Sequence, residues 1–189
     1  MADDPSTLPE DLPEPVDDGA ADHLPGTPLP SVALPATDGS TVTLAALEGR
    51  VVVYAYPKTG RPDRDVTPDG WAEIPGARGC TPEACGFRDH HAELRERGVA
   101  AVYGLSVQST PYQREARDRL GLPFELLGDE DFEFADALDL PSFEVGGERF
   151  LERLTLVVDD GRITHVFYPV FPPDEHATEV RNWLDANPA

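Results

Sequence analysis

Residues 51–57 read VVVYAYP, a short run of apolar, mostly β-branched and aromatic residues that ends at a proline. A run of this kind, without alternating polar residues, is typical of a strand buried on both faces inside a sheet. The next stretch, 58–79, is rich in Pro, Gly and Asp and is longer than most structureless connections. We therefore expect a central strand followed by a functional or inserted loop.

The loop leads into GCTPEACGFRD at 79–89, which predicts the start of a helix. Thr81 is a suitable N-cap, Pro82 suits the first helical position, and Glu83 suits the positive end of the helix dipole. The apolar residues that follow at helical spacing extend this helix as far as Gly98.

Strands and helices alternate along the rest of the chain. Asp38-Gly39 predicts a hairpin turn, strands are expected at 99–107 and 124–127, and a hairpin is expected from 153–158 to 163–168. Helices are expected from Pro111 to Gly121, over 129–138 and over 173–186. This alternation predicts an α/β fold in which a central mixed β-sheet is flanked by helices on both faces.

Length and charge limit the possible functions. The 189 residues correspond to about one domain. With 36 acidic and 15 basic residues the net charge is −21, which disfavours binding to nucleic acid or to an anionic membrane. The first 25 residues are acidic and Pro-rich, so we expect a disordered tail over 1–25 and a domain over 26–189. The N-terminus lacks the basic start and apolar run of a secretory signal, so the expected location is cytoplasmic.

The chemistry is predicted at Cys80 and Cys85, which are the two cysteines of the chain. Cys80 lies at the expected helix N-terminus near Arg78 and Arg88, features that lower the pKa of a thiol and produce a nucleophilic thiolate. In a continuous helix, residues five apart are separated by about 8.6 Å between Cα atoms. A disulfide needs roughly 7 Å or less, so it would require the first helical turns to unwind. A redox-active pair is the favoured interpretation, and two separate structural thiols remain the alternative.

A metal site is disfavoured. His90 and His91 follow on the same predicted helix, but their positions do not converge with Cys80 on one ion.

Together, the segments 51–57, 79–89, 103–106 and 153–159 resemble the peroxiredoxin family. The similarity is greatest to the peroxiredoxin Q or bacterioferritin comigratory protein type, also known as alkyl hydroperoxide reductase/thiol-specific antioxidant domains. It covers about residues 28–187, and the cysteine spacing within GCTPEACGFRD is its most specific part.

The resemblance implies a thioredoxin-like fold and a thiol peroxidase acting on hydrogen peroxide and organic hydroperoxides. Cys80 matches the peroxidatic cysteine, Cys85 the resolving cysteine and Arg153 the active-site arginine. The implied cycle passes through a Cys80 sulfenic acid and a Cys80–Cys85 disulfide that thioredoxin or a similar dithiol reduces. It requires no metal, flavin or nucleotide, and a monomer or weak homodimer is expected.

One position departs from the family pattern, because Ala77 stands where the family has a threonine three residues before the cysteine. Thr59 and a backbone N–H of the loop are the candidate replacements. Two other functions remain open: a non-enzymatic redox sensor that uses the same disulfide, and a thioredoxin-type oxidoreductase, although the latter would be expected to carry Cys-x-x-Cys.

Overall fold

The computed structural model describes residues 7–189, in which strands and helices alternate around a central sheet. The strands are β1 (Leu34–Pro35), β2 (Thr41–Val42), β3 (Arg50–Ala55), β4 (Val99–Ser106), β5 (Leu126–Gly128), β6 (Ser142–Val145), β7 (Glu148–Leu151), β8 (Leu154–Asp159) and β9 (Arg162–Phe167). The helices are α1 (Cys80–Asp89), α2 (His91–Glu96), α3 (Thr110–Leu120), α4 (Glu133–Leu138) and α5 (His176–Ala186).

The central sheet has five strands in the order β5-β4-β3-β8-β9. Strand β3 lies in the middle, parallel to β4 and antiparallel to β8, so the sheet is mixed. All six residues of β3 are buried, which confirms the prediction of a central strand. The short pairs β1–β2 and β6–β7 form separate antiparallel ribbons.

Helices cover both faces of the sheet, as the sequence predicted. Val52 and Tyr54 of β3 pack in a cluster with residues of α1, α2 and α5. Val51 and Val53 pack on the opposite face with residues of α4. The period-two alternation of a strand thus divides one apolar run between two cores. Within residues 7–189, no helix has the length and apolar character to cross a membrane.

The structure corrects the start and the length of the first helix. Helix α1 begins at Cys80 and its N-cap is Gly79, so the prediction of Thr81 as N-cap is wrong. Gly79 has φ 104°, in the left-handed region, and a Cβ there would collide with Pro173 and Leu8. The predicted continuous helix to Gly98 is two helices, because the backbone leaves helical geometry at His90.

Other boundaries shift near α4. The helix predicted over 129–138 begins only at Glu133, because the Asp129 carboxylate accepts hydrogen bonds from the N–H groups of Phe134 and Ala135, at 3.1 and 2.9 Å. The strand predicted at 124–127 lies at 126–128, and the β6–β7 hairpin was not predicted. The β8–β9 hairpin is confirmed.

The segment assigned to a disordered tail is packed at its C-terminal end. Leu24 is fully buried and Ala21 is 5% exposed, and both belong to the core on the α4 face. The His23 ring bonds the Leu138 carbonyl through Nε2 at 2.8 Å. Packing therefore extends to the N-terminal side of residue 26, while residues 1–6 of that segment lie outside the described residues.

Candidate active site

Cys80 occupies the first position of α1, close to the end of β3. Its side chain is buried, with 3% exposure, and the thiol donates to the Ala77 carbonyl at 3.8 Å. The N–H groups of the first helical turn have no intrahelical partners, and this end of the helix dipole is positive. The local sequence therefore places a thiol where backbone dipoles favour negative charge.

Arg153, the residue before β8, brings a full positive charge to the same sulfur. Its Nη2 donates to Cys80 Sγ at 3.1 Å and to the carbonyls of Gly76 and Arg78, each at 3.2 Å. Its Nη1 donates to Glu83 in an ion pair whose two side chains are almost completely buried. One guanidinium therefore joins the loop end, the helix start and the thiol.

Burial and charge act in opposite directions on the thiol. Burial raises the pKa of Cys80, Arg153 acts to lower it, and Glu83 adds to the increase, so the pKa lies above the ordinary value. The lowered pKa expected from the helix N-terminus and from Arg78 and Arg88 is therefore wrong in direction. The pKa of Arg153 is raised: burial acts to lower it, but the charges of Cys80 and Glu83 outweigh burial.

The start of the long loop lies against Cys80. A hydrogen bond from the backbone N–H of Lys58 acts to lower the Cys80 pKa. Thr59 is 2% exposed and lines a narrow space together with Cys80. Its hydroxyl donates to Gln108 Oε1 at 3.4 Å, and Tyr112 Oη donates to its carbonyl at 2.6 Å. Of the two candidate replacements for the missing threonine, the Lys58 backbone N–H is the one that acts to lower the pKa of Cys80, while the Thr59 hydroxyl is engaged with Gln108.

The rest of the loop is anchored by Trp71. The indole packs against Phe150 and Phe143 of the β6–β7 hairpin, with ring centroids 5.0 and 5.8 Å apart. Ala77, three residues before the cysteine, belongs to the same apolar cluster. This small core holds the part of the loop that leads into Cys80.

Cys85 lies on the same unbroken helix as Cys80, and both cysteines are free thiols. It is half-buried; burial raises its pKa, and the nearby Arg88 opposes that increase. Both residues lie within α1, so their Cα atoms are about 8.6 Å apart by helical geometry. The structure therefore presents the dithiol state, and a bond between the two would require α1 to open.

Comparison with known proteins agrees with this arrangement. The Redoxin family profile matches residues 24–184. Peroxiredoxin Bcp of Escherichia coli (strain K12) is 34% identical over 169 residues, covering 84% of this chain and 94% of that protein. The crystal structure of Peroxidoxin BcpB from Mycobacterium tuberculosis superposes with TM-score 0.70 and 25% identity over 88% of this chain and all of that one. Peroxiredoxin Q from Xanthomonas campestris gives TM-score 0.66 and 26% identity over 84% and 95%.

The chain belongs to the peroxiredoxin family, in the peroxiredoxin Q/Bcp type. It is a thiol peroxidase with a thioredoxin-like fold, which acts on a peroxide and draws its electrons from a thiol reductant.

In this peroxiredoxin, the structure brings together Cys80 and Arg153, two of the three residues singled out from the sequence. It leaves Cys85 about 1.4 turns further along α1. His90 bonds Glu93 at 3.0 Å rather than joining this group. Sequence reasoning missed Glu83 as a partner of Arg153. The available signal was its spacing, since residues i and i+3 share a helix face.

Proposed function

We propose that this peroxiredoxin reduces hydrogen peroxide and organic hydroperoxides through a Cys80 sulfenic acid and a Cys80–Cys85 intramolecular disulfide. A thioredoxin-like dithiol then reduces the disulfide. The enzyme works in the cytoplasm and is a monomer or a weak homodimer. The observation that carries the proposal is the 3.1 Å contact from Arg153 Nη2 to Cys80 Sγ at the start of the helix that also holds Cys85.

The first step is a displacement at oxygen. The Cys80 thiolate attacks the terminal peroxide oxygen, the O–O bond breaks, and the other oxygen leaves as water or an alcohol after taking up a proton. Sulfur is oxidised to sulfenic acid and the peroxide is reduced. Arg153 and the Lys58 N–H stabilise the thiolate, and in the proposed step Arg153 also stabilises the charge that develops on the departing oxygen.

The second step joins the two cysteines. The Cys85 thiolate attacks the sulfenic sulfur, which expels hydroxide as water and forms the disulfide; a dithiol donor then reduces it by thiol–disulfide exchange. Unwinding of α1 must precede this step, because an intact helix holds the two Cα atoms too far apart. Gly86 favours that opening, since glycine is destabilising within a helix.

The test compares peroxide consumption by the wild type, Cys80→Ser and Cys85→Ser, with thioredoxin, its reductase and NADPH present. Cys80→Ser should abolish turnover. Cys85→Ser should consume about one equivalent of peroxide and then stop, because its sulfenic acid has no resolving partner. Wild-type rates in Cys80→Ser would refute the peroxidatic assignment, and sustained thioredoxin-dependent cycling by Cys85→Ser would refute the resolving role. Stoichiometric oxidation of the wild type without turnover would indicate a sensor instead.

A further inference from the structure

The cleft above Cys80 concentrates basic side chains in a strongly acidic chain. It has a volume of about 540 Å³, and Cys80 forms part of its wall. Two of its lining residues are acidic and four are basic, although the whole chain carries a net charge of −21. The basic residues are Lys58, Arg61, Arg64 and Arg78, and the acidic residues are Asp63 and Asp65.

Several of these cations keep hydrogen-bond donors available. The Lys58 ammonium donates to the Val66 carbonyl at 2.8 Å and forms no ion pair in the part of the chain that the structure describes. Arg61 pairs with Asp63 through Nε and Nη2, at 2.8 and 2.9 Å, which leaves its other N–H donors. Arg64 makes no hydrogen bond or ion pair within residues 7–189.

The same cleft is partly lined by apolar residues and is much larger than hydrogen peroxide requires. Trp71, Ala72, Ala77, Pro9 and Pro62 contribute to its lining. A water molecule occupies about 30 Å³ of liquid volume, so a peroxide of two oxygen atoms leaves most of the cleft unfilled. An organic substrate would place its hydrocarbon part against these apolar residues.

We infer that the cleft is a binding site for the anionic group of an organic hydroperoxide, such as one that carries a carboxylate. This inference rests on the proposed peroxidase function. Lys58, Arg61 and Arg64 would hold the carboxylate by charge-assisted hydrogen bonds while the hydroperoxide group reaches Cys80. The reaction is the one given above, and the leaving alcohol retains the carboxylate.

The first experiment uses two substrates with the same reacting group: cumene hydroperoxide bearing a para carboxylate, and its methyl ester. For the wild type, kcat/KM should be about tenfold higher with the acid than with the ester, mainly because KM is lower. A tenfold preference is the effect of roughly one charge-assisted hydrogen bond. The preference should weaken as ionic strength rises. In Arg61→Gln/Arg64→Gln the ratio of acid to ester should fall towards one, because Lys58 is the one proposed carboxylate partner that remains.

Arg97→Gln is the matched control, because Arg97 also pairs with an aspartate, Asp185, through Nε and Nη2, and it does not line the cleft. This variant should keep the wild-type ratio. Equal rates for acid and ester in the wild type, or an unchanged preference in Arg61→Gln/Arg64→Gln, would overturn the inference. Absence of turnover by the wild type with every peroxide, hydrogen peroxide included, would instead count against the proposed function.

A second measurement tests the site without peroxidase activity. In a Cys85→Ser background, Cys80 is alkylated by iodoacetate, which is anionic, or by iodoacetamide, which is neutral. The ratio of the two rates should exceed that of the reference thiol N-acetylcysteine amide, and Arg61→Gln/Arg64→Gln should reduce it. A ratio no higher than that of the reference thiol would refute the anion site even if turnover were absent.

Discussion

Replacing Arg153 by methionine removes a group that acts on both chemistry and stability. The guanidinium donates to Cys80 Sγ at 3.1 Å and pairs with the completely buried Glu83. Arg153→Met therefore deprives the thiolate of its nearest positive charge and leaves a carboxylate buried without a partner. The pKa of Cys80, already raised by burial, should rise further because the main opposing influence is lost.

The two effects have different magnitudes. Removal of one strong electrostatic stabiliser lowers the rate by about 10²–10³-fold, and the rate of the Cys80 reaction with peroxide should fall by this amount. Breaking a buried ion pair by removing one partner costs about 3–5 kcal/mol. For a domain of this size each kcal/mol corresponds to about 2–4 °C, so the Tm should fall by roughly 6–20 °C.

A double variant separates the two roles. In Arg153→Met/Glu83→Met no buried charge remains unpaired, so urea unfolding should show that most of the lost stability returns. Stopped-flow reaction with hydrogen peroxide should remain slow, and titration of Cys80 by iodoacetamide in a Cys85→Ser background should still give a raised pKa. If the double variant recovered the wild-type rate, the role of Arg153 would be structural and the electrostatic argument would be wrong.

Two further predictions concern α1. Oxidation should speed amide hydrogen exchange across 80–88 while strands β3 and β8 keep their protection, because the disulfide cannot form within an intact helix. Equal protection of 80–88 in both redox states would exclude a Cys80–Cys85 bond. Glu83→Gln should lower the pKa of Cys80, the opposite direction to Arg153→Met, because the carboxylate charge raises it. The measurement is the rate of Cys80 alkylation as a function of pH. In the wild type this rate should keep rising above pH ~8.5, the ordinary thiol pKa, and Glu83→Gln should shift the pH profile to lower pH. An unmoved profile would show that Glu83 carries no charge next to Cys80.

The parts of the protein that could be predicted from sequence are those set by neighbours along the chain. An unbroken apolar run identified β3 because a strand buried on both faces has no polar positions. The features of a helix N-terminus placed the start of α1 within two residues, and the spacing of Cys80 and Cys85 required the helix to open before a disulfide forms. Arg153 was assigned through resemblance to a family, since its position before a strand does not by itself indicate a catalytic role.

The tertiary structure decided which distant groups share the site and what their burial does. Arg153 lies 73 residues from Cys80 in sequence, and its contact with the sulfur arises because β8 pairs with β3 in the central sheet. Glu83 suits a helix dipole locally, yet its main partner is that same guanidinium. The pKa of Cys80 shows the difference most directly, because local sequence features predict a lowered value, whereas burial raises it and outweighs the opposing effect of Arg153. Burial depends on every element packed around a side chain, and local sequence patterns do not contain that information.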